Sequence, residues 1–376
     1  MNFAELRKIK EPTAADLDRF IEANEFPLVS PGRVIFIYRG PAESVRLRQW
    51  IYGLPADPPM YRLGTTDMWY LENEVPDDSR FEYKFEVVIN GETHWLTDPL
   101  NPFYATDPFG ANSVCRAWGY ERPDWSIPNP LSRRGTLEEF HIASKHFGEP
   151  RRVQVYLPAR YRPRRRYPLL IVHDGDDFAR FADYISVLDN LIHRLEVAPL
   201  IVAFPAPGDR TTEYAADDRH AGFVAEELLP EMMQRYPLDD HPEARGLMGA
   251  SFGAVASLHT AWRNPGLFGR LMLLSGSFAF SDIGPHPRGP AFDPVVEFIN
   301  AFREKPLLPA QRIYLSCGVY ESLIYENRSM LPLLRDTGAR VSYAEARDGH
   351  NWENWRDRQR DGLSWLFRGP LWMVYE

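Results

Sequence analysis

A chain of 376 residues with 44% hydrophobic content is too apolar to be disordered and long enough for two cores. Its 43 Lys and Arg against 52 Asp and Glu leave a formal charge of −9, which excludes a nucleic-acid partner held on basic surface. No stretch approaches a membrane span, and Met1 to Lys10 lacks the apolar run of a signal peptide, so no membrane partner is expected and the cytoplasm is the expected location. Cys115 and Cys317, far apart in the chain, read as free buried thiols.

In chain order, Thr13 with Asp16 forms a capping box, and Leu17, Phe20 and Ile21 supply an apolar stripe, so the spacing predicts a docking helix over residues 13–24. From Val34 the pattern alternates: Val34, Phe36, Tyr38; Val45, Leu47; Trp69, Leu71; Tyr83, Phe85, Val87, Ile89. Turn residues punctuate it at Pro76-Asp77-Asp78 and Asn90-Gly91, which predicts an antiparallel sandwich. Trp50, Trp69 and Trp95 lie in such alternating runs and are expected in its core rather than on a sugar-stacking face. Asp98 to Pro102, with Phe103 and Tyr104, is a proline-fixed loop expected to reach toward the domain that follows. Arg122 to Pro130 is a proline-dense linker. Beyond Thr136, strand-like and helix-like runs alternate, as a mostly parallel sheet covered by helices requires. The run Arg160, Arg162, Arg164, Arg165, Arg166 reads as a solvated hairpin turn. The predicted organisation is a helical segment 1–27, a β-sandwich 28–125 and an α/β domain 126–376.

Chemistry concentrates in Gly249-Ala250-Ser251-Phe252-Gly253, preceded by a short apolar strand and followed by a helix with Val255, Leu258 and Trp262 on one face. A serine on a tight strand-to-helix turn exposes its hydroxyl at the top of a sheet, so Ser251 is the candidate nucleophile. His350, in Asp348-Gly349-His350-Asn351-Trp352 after the last strand-like run, is the candidate base. Glu321 follows the strand Arg312 to Gly318 and is the candidate acid that orients the histidine, with Glu326, Asp336 and Asp348 as rivals. The oxyanion donors expected are the Phe252 N–H and an N–H of Gly175 or Asp176, after the strand Pro168 to Val172. His173, Asp174, Asp176 and Asp177 could also be read as a metal cluster, but adjacent residues rarely converge on one ion. Neither metal nor cofactor is expected.

From about Glu139 the chain resembles the enterochelin-esterase and esterase D group of α/β-hydrolases. The resemblance is carried by Leu170-Ile-Val-His-Asp-Gly, Asp209-Arg-Thr-Thr-Glu213-Tyr214, Glu227-Leu-Leu-Pro230, the Ser251 turn, Leu274-Ser-Gly-Ser-Phe278 and Gly349-His350. Val34 to Pro102 resembles the immunoglobulin-like sandwich, of the isoamylase N-terminal type, that accompanies such esterases. The fold class implied is an α/β-hydrolase domain preceded by an all-β immunoglobulin-like domain. The activity implied is a serine carboxylic-ester hydrolase with nucleophile Ser251 and base His350. Trp352, Arg210, Arg219 and Ser277 are the candidate substrate-binding residues, and Arg328 and Arg356 could also face a cleft. The partner expected is a small-molecule ester: a ferric siderophore, a sugar ester or a phenolic ester. Asp174, Asp176 and Asp177 beside the oxyanion donors disfavour the multiply anionic siderophore. Acyl transfer at the same site, or carbohydrate binding with an inactive hydrolase scaffold, are the alternatives. Trp355, Trp365 and Trp372 cluster after the histidine, with Leu363 and Trp365 packing the last helix.

Overall fold

Two short helices, α1 (Phe3–Leu6) and α2 (Ala14–Glu22), open the chain in the computed structural model, which describes residues 1–281 and 288–370; Trp372 lies outside them. The predicted capping box is present at α2, where Thr13 Oγ1 accepts from the Asp16 N–H and the Asp16 carboxylate accepts from the Thr13 N–H. The residues group into two units. The first comprises Met1–Arg122 with two later segments, Gly318–Glu321 and Ala346–Asn351; the second comprises Pro123–Cys317, Ser322–Glu345 and the chain from Trp352 on.

The first unit holds strands β1 (Leu28–Ser30), β2 (Arg33–Arg39), β3 (Ser44–Gln49), β4 (Tyr61–Arg62), β5 (Met68–Glu74), β6 (Arg80–Ile89), β7 (Glu92–Leu96), β8 (Tyr104–Asp107) and β9 (Gly110–Arg116). They make two antiparallel sheets, ordered β1-β2-β5-β4 and β3-β6-β9-β8, with β7 added to β6. Alternate residues Val34, Phe36, Val45, Leu47, Phe81, Tyr83 and Phe85 build one core. The opposite face of β2, Ile35 and Ile37, is buried against Phe3, Leu6, Leu17 and Phe20 of the helices. That double coverage explains why β2 is apolar almost throughout.

Two tryptophans depart from the expected core. Trp69 is buried, but Trp50 is 53% and Trp95 50% exposed. Trp50 lies one residue past β3, and β7 is an edge strand with every residue exposed, so alternation there sorts nothing into a core. Trp95 instead donates its indole N–H to Glu86, with the Arg48 guanidinium 4.5 Å over its ring. The Asp98 to Pro102 loop is stitched to its own unit: Tyr83 Oη donates to Asp98 at 2.6 Å, and the Asn101 amide donates to Tyr83 Oη and the Val114 carbonyl. Burial pushes the Asp98 carboxyl up to about 6.

The second unit is built on β10 (Thr136–Ala143), β11 (Pro150–Leu157), β12 (Leu169–Val172), β13 (Ile201–Pro205), β14 (Arg245–Ala250), β15 (Arg270–Leu274), β16 (Arg312–Gly318) and β17 (Arg340–Ala346). The sheet order is β10-β11-β13-β12-β14-β15-β16-β17; β10, β11 and β13 pair antiparallel, and β13, β12, β14, β15 and β16 run parallel. Side-chain alternation divides two cores. Ile171, Leu247, Leu273 and Leu315 face one; Leu170, Met248, Met272 and Tyr314 face the other. Among the described residues the α-helices are α3 (Gly175–Phe181), α4 (Tyr184–His193), α5 (Arg210–Glu213), α6 (Asp218–Gly222), α7 (Leu229–Arg235), α8 (Phe252–Arg263), α9 (Asp293–Glu304), α10 (Ile324–Asp336), α11 (Trp352–Asp357) and α12 (Gln359–Leu366). Val255 and Leu258 of α8 join the first core; Leu363 of α12 joins the second, with Trp365 packed beside it. None of these helices is long and apolar enough to cross a membrane.

Two connections differ from expectation. The arginine run joins β11 to β12, which are not neighbours because β13 lies between them, so it is a crossover and not a hairpin turn. The linker is ordered: Asp124–Ser126 forms a helical turn, Trp125 is buried, and the Asn190 amide donates to the Trp125 and Ile127 carbonyls at 2.8 Å each. Cys115 and Cys317 are buried and not joined by a disulfide.

Candidate active site

At the end of β14 the backbone turns sharply into α8, and Ser251 takes φ 57° and ψ −121°. A non-glycine residue in that region costs about 1–3 kcal/mol and persists only where its surroundings enforce it. Gly249 is one enforcing residue: a Cβ there would lie 2.3 Å from the Gly253 backbone, so no side chain fits inside the turn. The Ser251 N–H donates to the Leu274 carbonyl, and Ser277 N–H donates to the Ser251 carbonyl at 3.3 Å. Ser251 Oγ lies 3.1 Å from Ser277 Oγ, so the two hydroxyls share one hydrogen bond at the C-terminal edge of the sheet.

Phe252 and Gly175 occupy equivalent places. Each is the first residue of a helix, α8 or α3, that follows one of the adjacent parallel strands β14 and β12. First-turn N–H groups have no acceptor inside their helix, which leaves them for an anion. The reason for glycine at 175 is packing, since a Cβ would meet Phe204 at 2.2 Å. Asp176 lies in the first turn of α3, and its carboxylate pairs with Arg152.

His350 and Glu321 lie in the two segments that belong to the first unit. Glu321, 3% exposed, places Oε2 2.6 Å from His350 Nδ1 and accepts the Gly318 N–H on Oε1 at 2.7 Å. An ionised carboxylate only accepts, so this contact calls for the proton on Nδ1. Of the rivals, Glu326 pairs with Arg288 and Asp348 with Arg80.

Sequence reading had no signal for Arg80, which stands in an alternating run as an ordinary strand polar residue. It is 1% exposed. Its guanidinium donates to Asp348 Oδ1 at 3.1 Å, to Asn351 Oδ1 at 2.9 Å and to Glu82 at 3.1 Å, and its N–H donates to the Arg347 carbonyl. Asp348 in turn accepts the Gly349 N–H, so the loop either side of His350 is tied to the start of β6. The Glu321 segment is tied to the same place, through Tyr320 Oη and Ser79 Oγ at 2.6 Å. Removing one partner of a buried ion pair costs about 3–5 kcal/mol. Arg80→Met is therefore expected to lower the denaturation midpoint markedly, and Arg80→Met/Asp348→Asn to recover part of the loss. Equal midpoints for Arg80→Met and the unmodified protein in urea titrations would refute the strap.

The acidic group after β12 is dispersed among separate partners. Arg210 grips Asp174 with two bonds of 2.6 Å, Arg152 takes Asp176, and burial with the neighbouring Asp174 raises the Asp177 carboxyl. His173 turns inward: Nδ1 faces the Met248 carbonyl at 3.1 Å and Ser257 Oγ at 3.0 Å, and Nε2 lies 2.9 Å from His220 Nε2. Burial pushes His173 down to about 4, and burial with His173 beside it holds His220 well below the usual range. Both rings stay neutral, one donating to the other. The substrate-binding candidates are likewise engaged: Arg219 pairs with Asp217 at 2.6 Å, Arg328 with Glu345, and Arg356 with Glu353 and Asp357. Trp352 packs edge-on to Phe178 and Trp355, with ring centroids 5.2 and 4.9 Å away.

The Esterase family model ("Putative esterase") matches residues 144–366, more than half of the chain. The uncharacterised protein YjcH of Bacillus subtilis is 30% identical over 150 residues, a match covering 38% of this chain and 62% of that protein. The iron(III) enterobactin esterase of Escherichia coli K12 is 25% identical over 338 residues, covering 83% of this chain and 82% of its own length. In the crystal structures, the Shigella flexneri enterobactin esterase determined in the presence of enterobactin superposes with a TM-score of 0.75 at 20% identity, covering 98% of this chain and all of that one. The chain belongs to the Esterase family, in its enterochelin-esterase-like group, and is by that membership a carboxylic-ester hydrolase.

Proposed function

We propose that the chain hydrolyses a small-molecule carboxylic ester through a serine acyl-enzyme. The observation that carries this reading is Ser251 held at φ 57° on the strand-to-helix turn, with a histidine elsewhere already oriented by a buried glutamate. Ser251 Oγ attacks the ester carbonyl carbon while His350 Nε2 takes its proton; Glu321 keeps the imidazole in the required tautomer and stabilises the imidazolium. The oxyanion is met by the Phe252 N–H and by the N–H of Gly175 or Asp176. His350 then returns the proton to the departing alkoxide, activates water against the acyl-enzyme, and the carboxylic acid leaves. Ser277, bonded to Ser251, is placed to hold the hydroxyl before substrate arrives and to contact the substrate afterwards.

The ion pairs bear on the substrate. Because Arg210 and Arg152 offset Asp174 and Asp176, two of the three acidic residues beside the oxyanion donors no longer count against an anionic ester. Relatives named iron(III) enterobactin esterase put a catecholate siderophore ester first among the candidates, ahead of sugar and phenolic esters. The N-terminal strands are proposed to be an immunoglobulin-like accessory domain. The deciding experiment is labelling with a fluorophosphonate together with turnover of ferric enterobactin, an acetylated sugar and a feruloyl ester. Release of the acyl product from at least one ester and stoichiometric labelling are expected; absence of both would refute the serine mechanism.

A further inference from the structure

Three neighbouring strands begin on arginine: β15 at Arg270, β16 at Arg312 and β17 at Arg340. Arg270 and Arg312 are register partners on adjacent parallel strands, so two like charges stand side by side. Such an arrangement is unfavourable unless something offsets it. Several other arginines of the second unit are neutralised: Arg151, Arg210, Arg245 and Arg356 each have a carboxylate within hydrogen-bonding reach. Among the described residues, neither Arg270 nor Arg312 forms an ion pair.

The two guanidiniums line a cavity of about 320 Å³, at the end of the sheet opposite Ser251, together with Arg368, Gln311, Phe367 and Glu243, the one carboxylate among the described lining residues. Arg270 lies with its guanidinium 4.5 Å over the Phe367 ring, and its buried Nε has no hydrogen-bond acceptor. Arg312 spends one N–H on the Trp365 carbonyl at 3.3 Å, leaving its other donors for something else. Burial, then Arg312, push Arg270 down to about 10; burial, then Arg340 and Arg368, lower Arg312. The charges are thus collected in one place and each raises the free-energy cost of the others. Among the described lining residues one glutamate stands against Arg270 and Arg312.

We propose that this cavity is a binding site for a small polyanion presenting phosphate or carboxylate oxygens, held by Arg270 and Arg312. Paired guanidiniums bind such oxygens by charge-assisted bonds, and the aromatic floor under Arg270 fixes its plane toward the cavity. The site lies at the starting ends of the parallel strands, whereas Ser251 follows the finishing end of β14, so occupancy is independent of the ester chemistry.

The test uses the full chain with pyrophosphate or citrate as probe, at ionic strength held constant with sodium chloride. The thermal midpoint is expected to rise saturably, on the order of 2–4 °C at about tenfold the dissociation constant, and calorimetry to give one site. Arg270→Gln and Arg312→Gln should each weaken binding about ten- to a hundredfold while leaving fluorophosphonate labelling of Ser251 unchanged. Preference for pyrophosphate or for citrate identifies the oxygen source. A midpoint that responds equally to chloride, or a rise retained in both variants, overturns the site; because labelling is read separately, a failed serine assignment cannot be mistaken for a failed anion site.

Discussion

Ser251→Ala is expected to leave the fold intact and to reduce ester turnover by about 10⁵- to 10⁶-fold, the loss seen when the nucleophile of a cooperating catalytic unit is removed. The physical argument is geometric before it is chemical. Alanine lacks only the hydroxyl, and φ 57° at this position is enforced by the Gly249–Gly253 contact and by the bond to the Leu274 carbonyl, neither of which involves the side chain. Any loss of rate is then assignable to the missing Oγ and not to a relaxed turn. The variant should keep the urea midpoint and resist fluorophosphonate. Ser277→Ala serves as its companion: removing a hydroxyl that holds Ser251 Oγ and contacts the substrate, but forms no bond to the acyl group, should cost far less. Full labelling of the Ser251→Ala protein would assign the nucleophile elsewhere.

Legibility in the sequence followed locality. The capping box at Thr13, the alternating strands and the Ser251 turn each depend on residues within a few positions of one another, and each can be read without tertiary knowledge. The proximity of Glu321 to His350 was also within reach, because strand order and loop position constrain both. What local pattern could not supply was pairing. Arg80 and Asp348 are separated by 268 positions, and nothing in either neighbourhood marks them as partners. The same holds for Arg210 with Asp174, a pair that offsets one charge of the apparently repulsive acidic loop. Trp50 and Trp95 show the converse failure, where an alternating pattern continued past the end of a strand or into an exposed edge. Charge and exposure are properties of the folded neighbourhood, so a residue's type predicts them poorly.

The base and the acid should separate in magnitude. His350→Ala is expected to cost about as much as Ser251→Ala, since both act in the same proton-coupled attack and neither works without the other. Glu321→Gln should cost less, about ten- to ten-thousandfold, because the acid orients the ring and stabilises the imidazolium but forms no bond to substrate. The upper end of that range is the more reasonable here. Glu321 is buried, its second oxygen is already committed to the Gly318 N–H, and the 2.6 Å bond to Nδ1 leaves little slack. A glutamine amide would present either its carbonyl or its NH₂ to Nδ1. If Gly318 keeps the carbonyl, the NH₂ group faces the ring, Nδ1 must become the acceptor, and the proton moves to Nε2, where it blocks the base. Asp348→Asn is the informative control, since Asp348 is tied to Arg80. It should lower the urea midpoint more than it lowers kcat. Rates for the three variants, measured on one ester at saturating concentration, decide the matter: a silent Glu321→Gln beside a catalytically dead but fully stable Asp348→Asn would transfer the acid's role to Asp348.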